Sequence, residues 1–263
     1  MSVPPHPYDD LRFTALAHRG GRGLPDNADR ENTVAAFRAA CDLGCRCLET
    51  DVRVTRDGVP VLFHDPTTDR LTGEPGTIEG RTAHDVARLR LGGEPVATLD
   101  DLLEAFPEAR LNVDLKGPGS ADAVARVLAR HRAARRVLVN SFSPARLSRF
   151  RALTRGHVAT GVSVPGIAWT RFVPLLPTVL NSPGVVLQIP VVQKVGAFEL
   201  TVCQSDLIAR AHAAGRGVHV WTVDGAETMN RLIDWGVDGI VTDRPDTLKE
   251  VLLARDLWEA DRA

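Results

Sequence analysis

Two carboxylates on one face of a predicted strand are the first feature of this sequence that could do chemistry. Side chains alternate along a strand, so in Cys45–Val52 the carboxylates of Glu49 and Asp51 share a face. Two such charges repel each other unless a positive charge lies between them, and oxygen ligands suit a hard cation such as Mg²⁺ or Ca²⁺. The pair indicates a metal site, and two surface acids paired with arginines are the alternative.

A carboxylate and a lysine at the end of another predicted strand point to phosphate chemistry. Asp114 and Lys116 share a face of the predicted strand Leu111–Lys116. An ammonium in that position can neutralise a non-bridging phosphate oxygen. A plain Asp–Lys ion pair is the alternative interpretation.

The segment after the first predicted strand adds a second phosphate-binding candidate. Arg19 carries a planar guanidinium that suits a pair of phosphate oxygens, and Gly20 and Gly21 would let the backbone approach a ligand closely. Glu31 and Asn32 open the first predicted helix, and Thr33 is a further N-cap candidate, so we expect these residues to act as helix caps.

Two histidines end predicted strands beside these acids. His18 and His64 each follow an apolar run, and imidazoles titrate near neutral pH, so a pair flanking a phosphate can act as general acid and general base. A lone histidine is more often structural, but the pairing favours catalysis. The sequence does not say which histidine is the acid and which is the base.

Trp221, at another strand end, is a candidate wall for the alcohol site or a core residue.

The elements that must position these residues alternate between strands and helices. The predicted strands are Phe13–His18, Cys45–Val52 continuing into Val59–His64, Leu111–Lys116, Val137–Phe142, Val158–Ser163, Val185–Pro190, Val218–Val223 and Gly239–Thr242. The predicted helices are Thr33–Leu43, Leu99–Phe106, Ala121–His131, Pro144–Leu153, Ile167–Leu180, Ser205–Ala214, Ala226–Trp235 and Pro245–Ala254. This alternation predicts a parallel sheet, and the number of units favours a TIM (β/α)₈ barrel, whose strand ends would bring the candidates together.

One stretch is too long for a plain barrel loop. Residues 65–107 contain several glycine turn signals, and we expect a small inserted subdomain there, after the second strand and over the barrel mouth. The sequence thus predicts a single barrel domain over residues 13–255.

Composition excludes several classes of function. The formal net charge is −1 over 263 residues, and the interspersed charges give no basic face for nucleic acid. No apolar run has the ~18 residues of a membrane span, and no leader pattern is present, so we expect a cytoplasmic protein without stable membrane association. Four cysteines match no zinc spacing and are expected to be buried free thiols.

Several short motifs, in order from about Leu16 to Leu248, together resemble the glycerophosphodiester phosphodiesterases. They are His18-Arg19-Gly20-Gly21, Glu31-Asn32-Thr33, Glu49-x-Asp51, Thr55-x-Asp57-Gly58, His64-Asp65, Val113-Asp114-Leu115-Lys116, Val220-Trp221-Thr222-Val223 and the run from Gly236 to Pro245. The resemblance implies a barrel with an insertion after His64.

The resemblance also implies a cofactor. It assigns the metal ligands to Glu49, Asp51 and Asp114, where Asp114 replaces the glutamate of many members. The expected cofactor is one divalent ion, Mg²⁺ or Ca²⁺, with Mn²⁺ also suitable.

The implied reaction is hydrolysis of a small glycerophosphodiester to sn-glycerol 3-phosphate and an alcohol. The resemblance assigns acid–base catalysis to His18 and His64 and phosphate binding to Arg19 and Lys116. The alternatives are lysophospholipase D-like activity on lysophospholipids and an inactive barrel that binds phosphodiesters. A barrel aldolase is disfavoured because no lysine stands alone in an apolar strand.

Overall fold

The computed structural model describes residues 7–8, 10–172, 183–195 and 198–259. Within these residues, the thirteen strands are β1 Thr14–His18, β2 Cys47–Val54, β3 Pro60–Leu62, β4 Arg90–Leu91, β5 Glu94–Pro95, β6 Arg110–Leu115, β7 Val137–Asn140, β8 Ala159–Thr160, β9 Val186–Pro190, β10 Val192–Val195, β11 Phe198–Thr201, β12 Gly217–Trp221 and β13 Gly239–Thr242.

Eight of these strands form one parallel sheet in the order β8-β7-β6-β2-β1-β13-β12-β9. The two ends of the sheet meet through a parallel bridge between Gly161 and Val186. The Val162 amide donates to the Val186 carbonyl at 2.8 Å across the same seam. The sheet is therefore a nearly closed barrel, which confirms the predicted (β/α)₈ fold.

Helices separate the strands and cover the barrel. They are α1 Val34–Asp42, α2 Asp69–Thr72, α3 Ala83–Val86, α4 Leu99–Ala105, α5 Ser120–Arg130, α6 Pro144–Leu153, α7 Val164–Phe172, α8 Ser205–Ala213, α9 Ala226–Asp234 and α10 Pro245–Leu253. Helix α7 covers the first part of the predicted helix Ile167–Leu180, and residues 173–180 of that prediction lie outside the described residues.

The core has an inner and an outer part, as the alternation of strand side chains requires. Inside the barrel, Leu16, Cys47, Leu138 and Val241 pack with neighbours from the other strands. Tyr8 closes the amino-terminal end of the barrel, where its hydroxyl donates to the Leu111 carbonyl at 2.9 Å. Two larger apolar clusters fill the space between the sheet and the helices.

The segment after β3 has an apolar cluster of its own. Phe63, Ile78 and Leu91 are fully buried there, in a cluster separate from the barrel core. Strands β4 and β5 form a two-stranded antiparallel sheet in the same segment. The next helix, α4, buries Leu99 and Leu102 in the main core. We call residues 63–98 the insertion, since they pack around this second cluster.

Candidate active site

One cavity of about 190 Å³ lies at the carboxyl-terminal mouth of the barrel. All eight site residues predicted from the sequence line it: His18, Arg19, Glu49, Asp51, His64, Asp114, Lys116 and Trp221. They come from strands or strand ends β1, β2, β3, β6 and β12. The parallel barrel brings these residues together because all its strands end on one face.

Asp51 is neutralised by two cations. The Lys116 ammonium nitrogen lies 3.0 Å from Asp51 Oδ1 and 2.6 Å from Asp114 Oδ2. Arg19 Nε lies 3.0 Å from Asp51 Oδ2, an ion pair without a directed hydrogen bond. Burial raises the pKa of Asp51, but the charges of Lys116 and Arg19 outweigh it, so the net pKa is lowered.

Two further carboxylates in the same pocket, Glu49 and Asp114, have raised pKa values. Burial and the neighbouring charge of Asp51 raise the pKa of Glu49 to about 7. Burial also raises the pKa of Asp114, against the opposing charge of Lys116. Asp114 Oδ1 is buried and has no hydrogen-bond partner among the described residues.

The three predicted ligands line one pocket without forming a closed cage. In the described part of the chain, no three histidine, cysteine, aspartate or glutamate side chains stand close enough together to form a metal cluster. The Lys116 ammonium bridges Asp51 and Asp114 instead. The carboxylates are thus partly neutralised by the protein's own cations.

Each pocket histidine is held by a carboxylate on its Nδ1 side. His18 Nδ1 lies 2.6 Å from Asp243 Oδ1, and His64 Nδ1 lies 2.7 Å from Asp65 Oδ1. The Nε2 atom of each ring is therefore left for another partner, and His18 Nε2 is 3.8 Å from Glu49 Oε2.

The two rings differ in their electrostatic surroundings. Burial lowers the pKa of His18, but Glu49 and the Asp243 hydrogen bond outweigh it, so the net pKa is raised. Burial dominates at His64 and lowers its pKa despite the opposing effects of Asp51 and Asp65.

Glu31 does not cap helix α1, contrary to the expectation. Thr33 is the cap, since its side chain accepts a hydrogen bond from the Ala36 amide. The Glu31 carboxylate is instead buried, 1% exposed, among the guanidinium groups of Arg19, Arg22 and Arg70. A buried carboxylate needs such partners, and three arginines within reach satisfy that need.

Arg70 extends this ion-pair network into the insertion. It lies on helix α2, and its guanidinium binds both Glu31 and Asp65. Since Asp65 holds His64, the insertion supports the position of a pocket histidine.

The two glycines after Arg19 lie against helices, and neither lines the cavity, so their expected role in ligand approach stays a prediction. Both have a positive φ. A Cβ on Gly20 would lie 2.7 Å from the Ala36 Cβ, and one on Gly21 would lie 2.7 Å from Pro245. These positions need glycine because α1 and α10 pack against the loop.

The inner end of the cavity is formed by three side-chain amides, which we call the amide floor: Asn112, Asn140 and Gln188. Asn140 Nδ2 donates to Asn112 Oδ1 at 2.8 Å and to Gln188 Oε1 at 2.9 Å. Asn112 Nδ2 donates to the same Gln188 oxygen at 3.1 Å. Below them, Gln188 Nε2 lies 3.3 Å from Nδ1 of buried His219, whose ring contacts Tyr8.

An apolar wall faces the charged side of the cavity. Trp221 meets Phe142 edge to face, with ring centroids 5.7 Å apart. Val162 and Ile167 complete this wall. The predicted position of Trp221 at the cavity wall is thus observed, with Phe142 as an aromatic neighbour that the sequence did not single out.

The sequence analysis did not identify Asp65 and Asp243 as the partners of the two histidines. Asp65 follows His64 directly, where strand alternation predicts opposite faces, but both residues lie in a loop beyond β3. Asp243 follows β13, which pairs with β1. The position of Asp243 at the end of a strand that neighbours the strand of His18 could have indicated this contact.

Comparison with known proteins places the chain among related sequences and structures. The model of the glycerophosphoryl diester phosphodiesterase family matches residues 18–247. A relative from Mycobacterium tuberculosis (strain ATCC 25618 / H37Rv), "Probable glycerophosphodiester phosphodiesterase 2", is 38% identical over 252 residues, 93% of this chain and 92% of the relative.

Two solved structures share the fold over nearly their full length. A putative glycerophosphoryl diester phosphodiesterase from Silicibacter pomeroyi DSS-3 superimposes with a TM-score of 0.79 at 25% identity, over 98% of each chain. A phosphodiesterase from Oleispira antarctica, solved in complex with the product sn-glycerol-3-phosphate, gives 0.77 at 25% identity over 94% of this chain and 98% of that one.

Proposed function

The chain belongs to the glycerophosphoryl diester phosphodiesterase family, and on that premise we propose that it hydrolyses glycerophosphodiesters to sn-glycerol 3-phosphate and an alcohol. The observation that carries the proposal is the pair of carboxylate-held histidines, His18 and His64, in one cavity with three acids and two cations. This set provides groups for proton transfer and for phosphate binding.

The donor set fits a divalent cation. Glu49, Asp51 and Asp114 offer hard oxygen ligands, which suit Mg²⁺, Ca²⁺ or Mn²⁺. Asp114 Oδ1 has no hydrogen-bond partner among the described residues, and burial together with the charge of Asp51 raises the pKa of Glu49, so a cation would stabilise both carboxylates. A bound cation would polarise a phosphate oxygen and offset negative charge in the transition state.

Arg19 and Lys116 would bind the remaining phosphate oxygens. In the structure, both side chains form ion pairs with Asp51. Each retains donors beyond those pairs, because a guanidinium has five N–H groups and an ammonium has three. Burial lowers the pKa of Lys116 but the charges of Asp51 and Asp114 raise it more, so the side chain stays charged.

Proton transfer would fall to the Nε2 atoms of His18 and His64. Hydrogen bonds at Nδ1 fix the orientation of each ring and stabilise its charged form. One imidazole would take the proton of the attacking hydroxyl, from water or from the substrate's own glycerol, and the other would give a proton to the leaving alcohol.

The carboxylates behind the histidines provide a test of this arrangement. Asp243→Asn and Asp65→Asn should each lower kcat about 10–100-fold with little change in KM, since they orient the rings without touching substrate. The pH–rate profile should also shift, because the imidazolium loses its charged partner. Asp246→Asn is the matched control, since Asp246 pairs with Arg244 on the surface. An unchanged profile in both variants would contradict the positioning role.

A direct test of the proposed activity is a substrate panel. Glycerophosphocholine, glycerophosphoethanolamine and glycerophosphoglycerol would each be assayed with Mg²⁺, Ca²⁺ and Mn²⁺, with release of sn-glycerol 3-phosphate measured enzymatically. Turnover of at least one diester is expected. The absence of product with all three metals would contradict the proposal.

A second candidate is lysophospholipase D-like activity, which one feature of the mouth favours. Phe142 lines the cavity and is 60% exposed, and Val164 and Phe198, in the segments after β8 and β9, are 46% and 80% exposed. Exposed apolar side chains beside a cavity can contact a lipid chain. The insertion on the other side of the mouth is rich in charge, and burying those charges in a lipid surface would be costly.

The two candidates differ in their expected substrate preference. We expect kcat/KM for glycerophosphocholine to exceed that for lysophosphatidylcholine about 10-fold or more, and detergent micelles to give no increase. The measurement is choline release from both substrates under the same metal and pH. A preference for lysophosphatidylcholine would replace the first proposal by the second.

No helix in the described ranges is long and apolar enough to cross a bilayer. We propose a cytoplasmic location, supported by four cysteines that are all free thiols.

A further inference from the structure

We propose that the amide floor binds the terminal hydroxyl of the substrate's glycerol and thereby selects diesters of a small polyol. This inference rests on the function proposed above and names the part of the substrate that the inner end of the cavity receives. Asn112, Asn140 and Gln188 come from three barrel strands, β6, β7 and β9, and all three line the cavity.

The floor has hydrogen-bonding capacity left for a ligand. Both Nδ2 protons of Asn140 are donated within the floor, which fixes that amide. One proton of Asn112 Nδ2, one of Gln188 Nε2 and the oxygen Asn140 Oδ1 make no further hydrogen bond among the described residues. A hydroxyl both donates and accepts, so it can use an N–H and the Asn140 oxygen together.

The floor is neutral, and this determines which part of a phosphodiester it can receive. The cations Arg19 and Lys116 lie at the mouth with the acids, so the phosphate belongs there. An alkyl chain against the floor would leave the remaining N–H groups of Asn112 and Gln188 and the Asn140 oxygen without a partner, which is unfavourable. A short polyol arm matches the polarity of this end.

The backbone makes room for the floor. An ideal Cβ on Gly161 would lie 1.6 Å from Asn140 Oδ1, so the Asn140 amide can occupy its position only above a glycine. His219 and Tyr8 close the barrel behind Gln188. The inner end is therefore a preformed, closed polar site, whereas the opposite end at Phe142 is open.

The test compares two diesters that differ only in the terminal hydroxymethyl group. Glycerophosphocholine has it, and 2-hydroxyethyl phosphocholine lacks it but keeps the hydroxyl next to the phosphate. The wild-type enzyme should prefer glycerophosphocholine about 10–100-fold in kcat/KM. Most of the difference should appear in KM, because the contact is made in both ground state and transition state.

Removing the floor should abolish that preference. Asn140→Leu and Gln188→Leu should bring the two kcat/KM values within about threefold, mainly by weakening glycerophosphocholine. Asn230→Leu, the same change on the outer helix α9, is the matched control and should keep the wild-type preference. Circular dichroism would check that each variant is folded.

The outcomes separate this inference from the proposed function. A wild type that hydrolyses neither diester would overturn the function. A wild type that hydrolyses both without preference, or folded floor variants that keep the preference, would overturn the role of the floor. If the variants do not fold, calorimetry on the wild type decides: sn-glycerol 3-phosphate should bind more tightly than 2-hydroxyethyl phosphate, and equal affinity would count against the floor.

Discussion

His18→Ala and His64→Ala are each expected to lower kcat for glycerophosphocholine about 10²–10⁴-fold while the protein stays folded. Each ring lies in the cavity with its Nδ1 against a carboxylate, so removing it deletes a positioned proton carrier. KM should change less than kcat, because the phosphate is bound mainly by other groups. The measurement is steady-state kinetics with saturating metal.

A matched control distinguishes catalysis from a general effect of losing an imidazole. His157→Ala changes an exposed histidine away from the cavity and should leave both kinetic constants within about twofold. Near-normal turnover in either pocket variant would remove that histidine from the mechanism.

Metal removal is expected to have an effect of similar size. Treatment with a chelator should lower activity about 10³-fold or more, because the cation would stabilise charge on the phosphate in the transition state. Addition of Mg²⁺, Ca²⁺ or Mn²⁺ should restore it. Full activity in protein shown by elemental analysis to be free of metal would contradict the cofactor assignment.

Substitution of a proposed metal-binding residue gives an independent test of the cofactor. Glu49→Gln keeps the size of the side chain but removes the charge that a cation needs, so metal affinity measured by calorimetry should fall. Glu79→Gln changes a carboxylate in the insertion that pairs with Arg53 and should leave the affinity unchanged. Equal affinities in both variants would exclude Glu49 as a ligand.

The barrel could be predicted because its signals are local. Apolar strands alternate with helical patterns along the whole chain, and the observed parallel order follows from that alternation. The positions of His18, Glu49 and Asp114 at strand ends or on one strand face were also readable, since a two-residue period fixes which side chains point together.

Interactions between distant segments could not be read in this way. Glu31 was expected to be a helix cap because it stands before a helical pattern. Its ion pair with Arg70, at 2.8 Å, forms only through tertiary packing and could not be read from the sequence. The amide floor joins side chains 28 and 76 positions apart in sequence, and each amide alone looks like an ordinary polar residue. Likewise the sequence did not show that Gly20 and Gly21 accommodate helices α1 and α10.

The position of Arg70 makes the support of His64, a proposed proton carrier, depend on helix α2, which lies outside the barrel. Strands β2 and β6 place Glu49, Asp51 and Asp114, and Lys116 directly follows β6. The support of His64 by Asp65 is completed only when helix α2 brings Arg70 between Asp65 and Glu31. A molecule whose barrel is formed but whose helix α2 is detached would therefore retain the proposed ligands for metal and phosphate, whereas Asp65 and the proposed proton carrier His64 would lack the support of Arg70. We expect loss of activity on mild heating to precede unfolding of the barrel.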